Sequence, residues 1–239
     1  MNLINGQRVL AVTLARGGSK SIPKKNIALV AGRPLISYTI SEALDSKLVD
    51  QYVVSTDCDE IANVVRALGV ENIIRRPESL ATDTAKSSDA LQHAVSHMEQ
   101  QGQSFDIAVE LMVTNPLKRS HHIDDAIKLL CRSNSPFCVA VQRLHDHHPA
   151  RIKYLDEQGI MQDFYPEVLE SRRQDLSPAA YIRAGSIYCM RVEALKTTGA
   201  RYDKSNTVAY VLPDEAVVNI DEPIDLLVAE VKIRERDET

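Results

Sequence analysis

Tryptophan is absent from the 239 residues and phenylalanine occurs three times, so aromatics make up 5% of the chain. That argues against a carbohydrate-binding module built on stacked rings. The four cysteines, at positions 58, 131, 138 and 189, include no C-x-x-C pair. In a chain this long they read as small buried side chains in a reducing compartment, not as a disulfide framework. No apolar run approaches the length that crosses a bilayer, and residues 1–15 have no uninterrupted apolar stretch behind a basic start. The expectation is a cytoplasmic protein without a membrane partner. Positive charge is not in excess either: 28 Lys and Arg against 33 Asp and Glu give a formal net charge of −5, which argues against a nucleic-acid partner. Both common phosphate fingerprints, G-x-x-x-x-G-K-[ST] and G-x-G-x-x-G, are missing.

What the chain does have is one local concentration of positive charge. The segment ARGGSKSIPKKN, residues 15–26, follows an apolar, β-branched run at 9–14 that reads as a buried strand. Gly17 and Gly18 suit a sharp turn and a close approach to a ligand, and Arg16, Lys20, Lys24 and Lys25 crowd cations around it. Pro23 biases Ile22 towards an extended conformation, so the loop is expected to drape before any helix starts. A loop leaving the carboxyl end of a first strand lies where α/β sheets bind ligands. Such a loop suits a polyphosphate.

With 44% apolar residues the chain can bury a sizeable core. Helices are expected over 34–46 and 58–68, from Ser87 or Ser88 as cap to about 101, and over 123–131; strands are expected at 51–55, 71–74, 107–113 and 137–141. This alternation predicts an α/β fold with a mostly parallel sheet flanked by helices. The rhythm breaks over 143–185, a Pro-, His-, Arg- and Tyr-rich stretch whose DHHPARIKYLDEQG looks like a β-hairpin insert. It resumes with strands at 186–190 and 207–212 and a last helix over 222–234. The expected division is therefore a core of 1–142 and 186–239 with an inserted subdomain at 143–185.

Several ordered motifs carry a resemblance: the loop with its continuation NIALVAGRPLISYTI, STD at 55–57, RRPESLATDTAKSSD at 75–89 and NPLK at 115–118. Over nearly the whole chain these resemble the CMP-sialic acid synthetases, the acylneuraminate cytidylyltransferases. The resemblance implies a Rossmann-like nucleotidyltransferase sheet and a Mg²⁺-dependent transfer of CMP from CTP to a nine-carbon sugar acid, supplying cell-surface polysaccharide. It also implies a homodimer in which the insert is the dimerisation arm. The alternatives are another 2-keto-3-deoxy sugar acid, an octulosonate, as acceptor, or a non-catalytic CTP-binding subunit.

By the same resemblance Arg16 and Lys25 contact phosphates and are the catalytic cations, with Gly17, Gly18, Ser19 and Lys20 around the nucleotide and Asn26, Arg76 and Ser87 facing cytosine and ribose. The family's Asp-x-Asp is here Asn219-Ile220-Asp221. Asp221 is the expected metal ligand and catalytic carboxylate, and Asn219 is left to offer a carbonyl oxygen; Asp57 and Asp83 are reserve carboxylates. A planar cation suits the acceptor's carboxylate, and Arg173 is the first choice, with Arg151, Thr114 and Tyr188 also on the acceptor side. Met112 stands where the family commonly has glutamine, and Ala184 where it has asparagine. Both exchanges remove hydrogen-bonding groups and predict a less polar acceptor pocket.

Overall fold

The first strand, β1 (Val9–Leu14), alternates between two apolar layers: Val9 and Ala11 join one, Leu10 and Val12 the other. A strand buried on both faces reads as a continuous apolar run, as a central parallel strand should. The computed structural model that shows this describes residues 4, 6–168 and 170–238, without the side chain of Arg173.

In chain order there follow β2 (Leu29–Val30), β3 (Arg33–Pro34), α1 (Leu35–Leu44), β4 (Gln51–Thr56), α2 (Asp59–Ala67), β5 (Ile73–Arg75), α3 (Ser87–Gln100), β6 (Ile107–Leu111) and α4 (Ser120–Arg132). The chain continues through β7 (Phe137–Arg143), β8 (Lys153–Leu155), β9 (Met161–Asp163), β10 (Tyr181–Arg191), α5 (Val192–Thr198), β11 (Thr207–Val211) and α6 (Pro223–Asp237). The main sheet has seven strands in the order β11-β7-β10-β6-β1-β4-β5. All its pairings are parallel except those of β10, which runs antiparallel to both β6 and β7. One layer of the core contains apolar residues of α1, α2, α4 and α6, and the other those of α3 and α5.

The insert is the hairpin β8–β9 and its surroundings, as the sequence suggested. Its limits differ, however: β7 and β10 stay paired out to Arg143 and Tyr181, so β10 begins inside the stretch expected to be insert. The reason is a β-bulge. Between Arg183 and Tyr188 the register with β7 shifts, Gly185 takes φ +57, and pairing resumes beyond. This bulge lies beside the carboxyl end of β6, because Met112 N–H donates to Ser186 O at 2.9 Å, at the same end of the sheet as the carboxyl ends of the parallel strands β1 and β4. One sheet edge thus collects the 15–26 loop, the β6–α4 link and the bulge.

Candidate active site

The 15–26 loop is held from three sides. Gly17 N–H donates to Asp57 Oδ1 at 2.9 Å, and Asn26 Nδ2 donates to Arg16 O at 2.9 Å, tying the two ends of the loop. Lys25 Nζ reaches Ile220 O at 2.8 Å and Asp221 Oδ1 at 3.5 Å. Neither Gly17 nor Gly18 has positive φ, and the left-handed residue of the loop is Lys24, at φ 51. Gly17 is needed for space, since a Cβ on it would lie 2.9 Å from Cys58 Cβ.

Two adjoining cavities share Leu14, Arg16 and Asn26. One, of about 290 Å³, lies under the loop and is lined by Gly18, Ser19, Lys20, Ser21 and Lys25 as well. The other, of about 310 Å³, continues past Arg76, Asp83, Lys86 and Ser87 to Glu110, Met112 and Thr114. The first has the cations and backbone for phosphates, and the second is the size of a nucleoside. Asp83 sits between Arg16 Nη1 at 2.8 Å and Lys20 Nζ at 3.0 Å, and Lys20 and Arg16 together hold its carboxyl below the usual range. A triphosphate entering here exchanges one carboxylate for phosphate oxygens. Lys24 is taken up by Glu60 at 2.6 Å.

Arg76 is no surface charge. It is 5% exposed, with Nε donating to Ser55 Oγ at 3.1 Å and Nη2 to Ser55 O at 2.7 Å. Burial pushes its guanidinium down, while Asp57 and Glu110 oppose that shift. Two of its five N–H donors are used, which leaves others for a base edge. Ser87 is not the cap of α3 that the sequence suggested: Lys86 holds the cap position without a side-chain bond, and Ser87 is the first helical residue, lining the cleft. The last helix is likewise capped at Glu222, with Asp225 receiving the N–H groups of Asp221 and Glu222, so Asp221 is free of that task.

Asp221 and Asn219 face one another, but the amide nitrogen of Asn219, not the oxygen expected to serve a metal, is turned to Asp221 Oδ2, at 2.5 Å. The Asn219 oxygen lies instead over Gly185, 2.8 Å from where a Cβ would stand. Among the described residues no three His, Cys, Asp or Glu gather as a metal cluster. The donor set is one open carboxylate beside an amide, which fits Mg²⁺ only in company with substrate phosphates.

The expected acceptor residues divide. Met112 and Thr114 line the cleft. Tyr188 does not: it is 3% exposed, within the α3 and α5 layer, with Arg201 stacked 4.7 Å over its ring, on the same sheet face as its cleft-lining partner Glu110 but covered by that layer. Arg151 lies in the insert, bonded to Ser171 O at 3.4 Å and 3.9 Å from Glu170, outside the cleft lining. Arg173 begins a short 3₁₀ turn, and its side chain lies outside the described residues.

Sequence reasoning missed two groups below the cleft. Glu110 is 2% exposed and paired with Arg201 at 2.6 Å; burial raises its carboxyl and Arg201 opposes that. A lone acid in IAVEL, the most apolar strand, was the signal available. Lys118 is fully buried, and burial pushes its amine down to about 7 against the pull of Glu42.

Comparison with known proteins agrees with this geometry. The family described as Cytidylyltransferase matches residues 10–217. The pseudaminic acid cytidylyltransferase of Campylobacter jejuni is 33% identical over 222 residues, 93% of this chain and 94% of that protein. The N-acylneuraminate cytidylyltransferase of Streptococcus agalactiae is 31% identical over 220 residues, 91% of this chain but 51% of the relative. Among solved structures, a CMP:2-keto-3-deoxy-manno-octonic acid synthetase complexed with CTP superposes with a TM-score of 0.69 at 18% identity, covering 97% of this chain and all of that one. The 4-diphosphocytidyl-2C-methyl-D-erythritol synthase of Anaerococcus prevotii does so with 0.65 at 13%, covering 97% and 98%. These two show the fold; the family match and the two relatives show that this chain belongs to the cytidylyltransferases, in the group that resembles CMP-sialic acid synthetases.

Proposed function

We propose that the protein transfers CMP from CTP to the anomeric hydroxyl of a nonulosonic acid. The hydroxyl oxygen forms a bond to the α-phosphorus, the bond from that phosphorus to the bridging oxygen breaks, and pyrophosphate leaves with the electron pair while the hydroxyl proton is lost. The observation that carries this reading is the pair of joined cavities, one walled by Arg16, Lys20 and Lys25 and the other by Arg76, Ser87 and Met112. Charge grows on phosphoryl oxygens and on the leaving group, so fixed cations there lower the barrier most. Arg16 and Lys25 hold the phosphates, and Asn26 keeps the loop closed around them. Arg76 and Ser87 offer donors to the base and ribose.

Asp221, with Asn219 beside it, would hold Mg²⁺, which when bound supplies charge neutralisation at the phosphates. Asp57 is engaged by Gly17 and Asp83 by two cations; Asp221, though met by Asn219 and, at 3.5 Å, by Lys25, is the more exposed carboxylate beside the phosphate loop. The acceptor's side of the cleft has Met112, and Ala184 on β10 is buried in the apolar core. This favours a deoxygenated nonulosonic acid of pseudaminate or legionaminate type over N-acetylneuraminate, in line with the Campylobacter relative, a pseudaminic acid cytidylyltransferase.

The insert supports a homodimer: Ile152, Tyr154, Leu155, Ile160, Met161 and Phe164 are 41–69% exposed, and a patch of that kind marks an interface. Arg151 and Arg173, carried on the same insert, would then meet the acceptor's carboxylate across that interface. The test is pyrophosphate release from CTP and Mg²⁺ with N-acetylneuraminate, legionaminate-type and pseudaminate-type acids, a 3-deoxy octulosonate, or no acceptor. Release with a deoxygenated nonulosonic acid at the highest kcat/KM is expected. A best rate with N-acetylneuraminate overturns the acceptor reading, and release with no acid on the panel overturns the reaction.

A further inference from the structure

Beneath the acceptor side of the cleft lies a lysine that the chemistry above does not use. Lys118 Nζ donates to Thr39 Oγ1 on α1 at 2.8 Å, to Met112 O at 2.7 Å and to Asn115 O at 2.5 Å. The carboxylate that acts on it through space, Glu42, is itself bonded to Ser120 N–H at 2.7 Å and lies 3.3 Å from Arg119 Nε. Burying a lysine is costly unless its donors are met, and a residue needed only to fill space would be served as well by methionine or leucine. Three donors of an ammonium matched to three oxygens, two of them carbonyls of its own loop, describe a tether. The neutral amine keeps two donors and can accept from the Thr39 hydroxyl, so the tether survives in either protonation state.

We infer that Lys118 is a positioning residue for the acceptor: it ties the β6–α4 link to α1 and thereby fixes how Met112 and Thr114 face the cleft. The peptide planes on either side of Met112 are held from opposite sides, its N–H by Ser186 O and its carbonyl by Lys118, so the direction of its side chain is set by backbone bonds. Two residues on, Thr114 O accepts from Ile220 N–H at 2.9 Å, and Ile220 O in turn accepts from Lys25 Nζ. The acceptor floor, the Asn219 to Asp221 segment and the phosphate loop are therefore linked, with Lys118 at the buried end. The inference rests on the reading of Met112 and Thr114 as acceptor-facing.

Steady-state kinetics of Lys118→Met, with CTP and the nonulosonic acid that the unaltered protein uses best, test it, with thermal melting as the check on folding. The acceptor KM rises at least about tenfold while the CTP KM stays within about twofold; a general loss of structure would move both. An acceptor KM within about twofold of normal overturns the inference, and so does a CTP KM that rises in step. If Lys118→Met does not fold, Thr39→Val keeps the shape and removes one of the three partners. A rise in acceptor KM of about threefold then supports the tether, and no rise overturns it. Met112→Ala separates the two levels. A changed acceptor KM in Met112→Ala, with none in Lys118→Met, removes only the role of Lys118; no change in either removes the acceptor floor and the inference with it.

Discussion

At the nucleotide end of the cleft each cation is fixed by contacts within one chain: Arg16 and Lys20 by Asp83, Lys25 by Ile220 O and Asp221, Arg76 by Ser55. At the insert end the apolar side chains of β8, β9 and their turn stand in solvent, and Arg151 is turned to Ser171 and towards Glu170. The first end is organised before any ligand arrives, so little reorganisation remains when charge develops. The second has surface in excess of what a single chain covers. On the proposed reading, one chain holds the nucleotide and a second copy completes the acceptor site.

The sharpest way to break this contrast is at the organised end. Arg16→Ala and Lys25→Ala are expected to lower kcat by about 10²-fold or more, the scale of losing one transition-state donor, with every acceptor alike. Single-turnover assays of the purified, folded variants check this, and near-normal turnover in Arg16→Ala would remove it from the phosphate site. The next effect is at the insert. Leu155→Glu combined with Met161→Glu, both at positions already more than 60% exposed, leaves the single chain folded but sets charges into the proposed interface. Light scattering should then give a monomer, with turnover down at least about tenfold and CTP affinity unchanged. A monomer that turns over normally would show that the acceptor site is complete in one chain.

The same contrast governs what was legible in the sequence. The loop after β1, the strand and helix order, and the hairpin in the insert depend on local pattern: β-branched runs, apolar stripes, Gly and Pro. The long insert boundary was misplaced because a bulge at Gly185 lets β10 cross it, and a register shift leaves no periodic trace. Tyr188 was misread because what covers it, the α3 and α5 layer and Arg201, comes from distant segments and not from its own residue type. Lys118 and Arg76 were invisible as buried groups for a related reason. A charged side chain signals exposure until the oxygens that receive it, here Thr39, Met112, Asn115 and Ser55, are brought in from distant segments.

The seam between the two ends, Asn219 to Asp221, yields the smallest effect and the finest test. Asn219 now donates to Asp221, which occupies one carboxylate oxygen and leaves the proposed Mg²⁺ site with a single formal ligand charge. Asn219→Asp replaces that donor with a second carboxylate on the same side of the segment. Without metal the two like charges repel, and melting should fall by about 2–4 °C for roughly 1 kcal/mol in a chain of this size. With metal the sign reverses: a second hard oxygen ligand should reduce the Mg²⁺ concentration for half-maximal turnover about three- to tenfold. Gly185 leaves room for this, since the oxygen of residue 219 already occupies the space that a Cβ at position 185 would take. Melting curves and turnover measured across a Mg²⁺ titration read both signs in one variant. A lower melting point with an unchanged Mg²⁺ requirement would mean that residue 219 stands beside the metal without binding it, and that Asp221 with the triphosphate is the whole of the site.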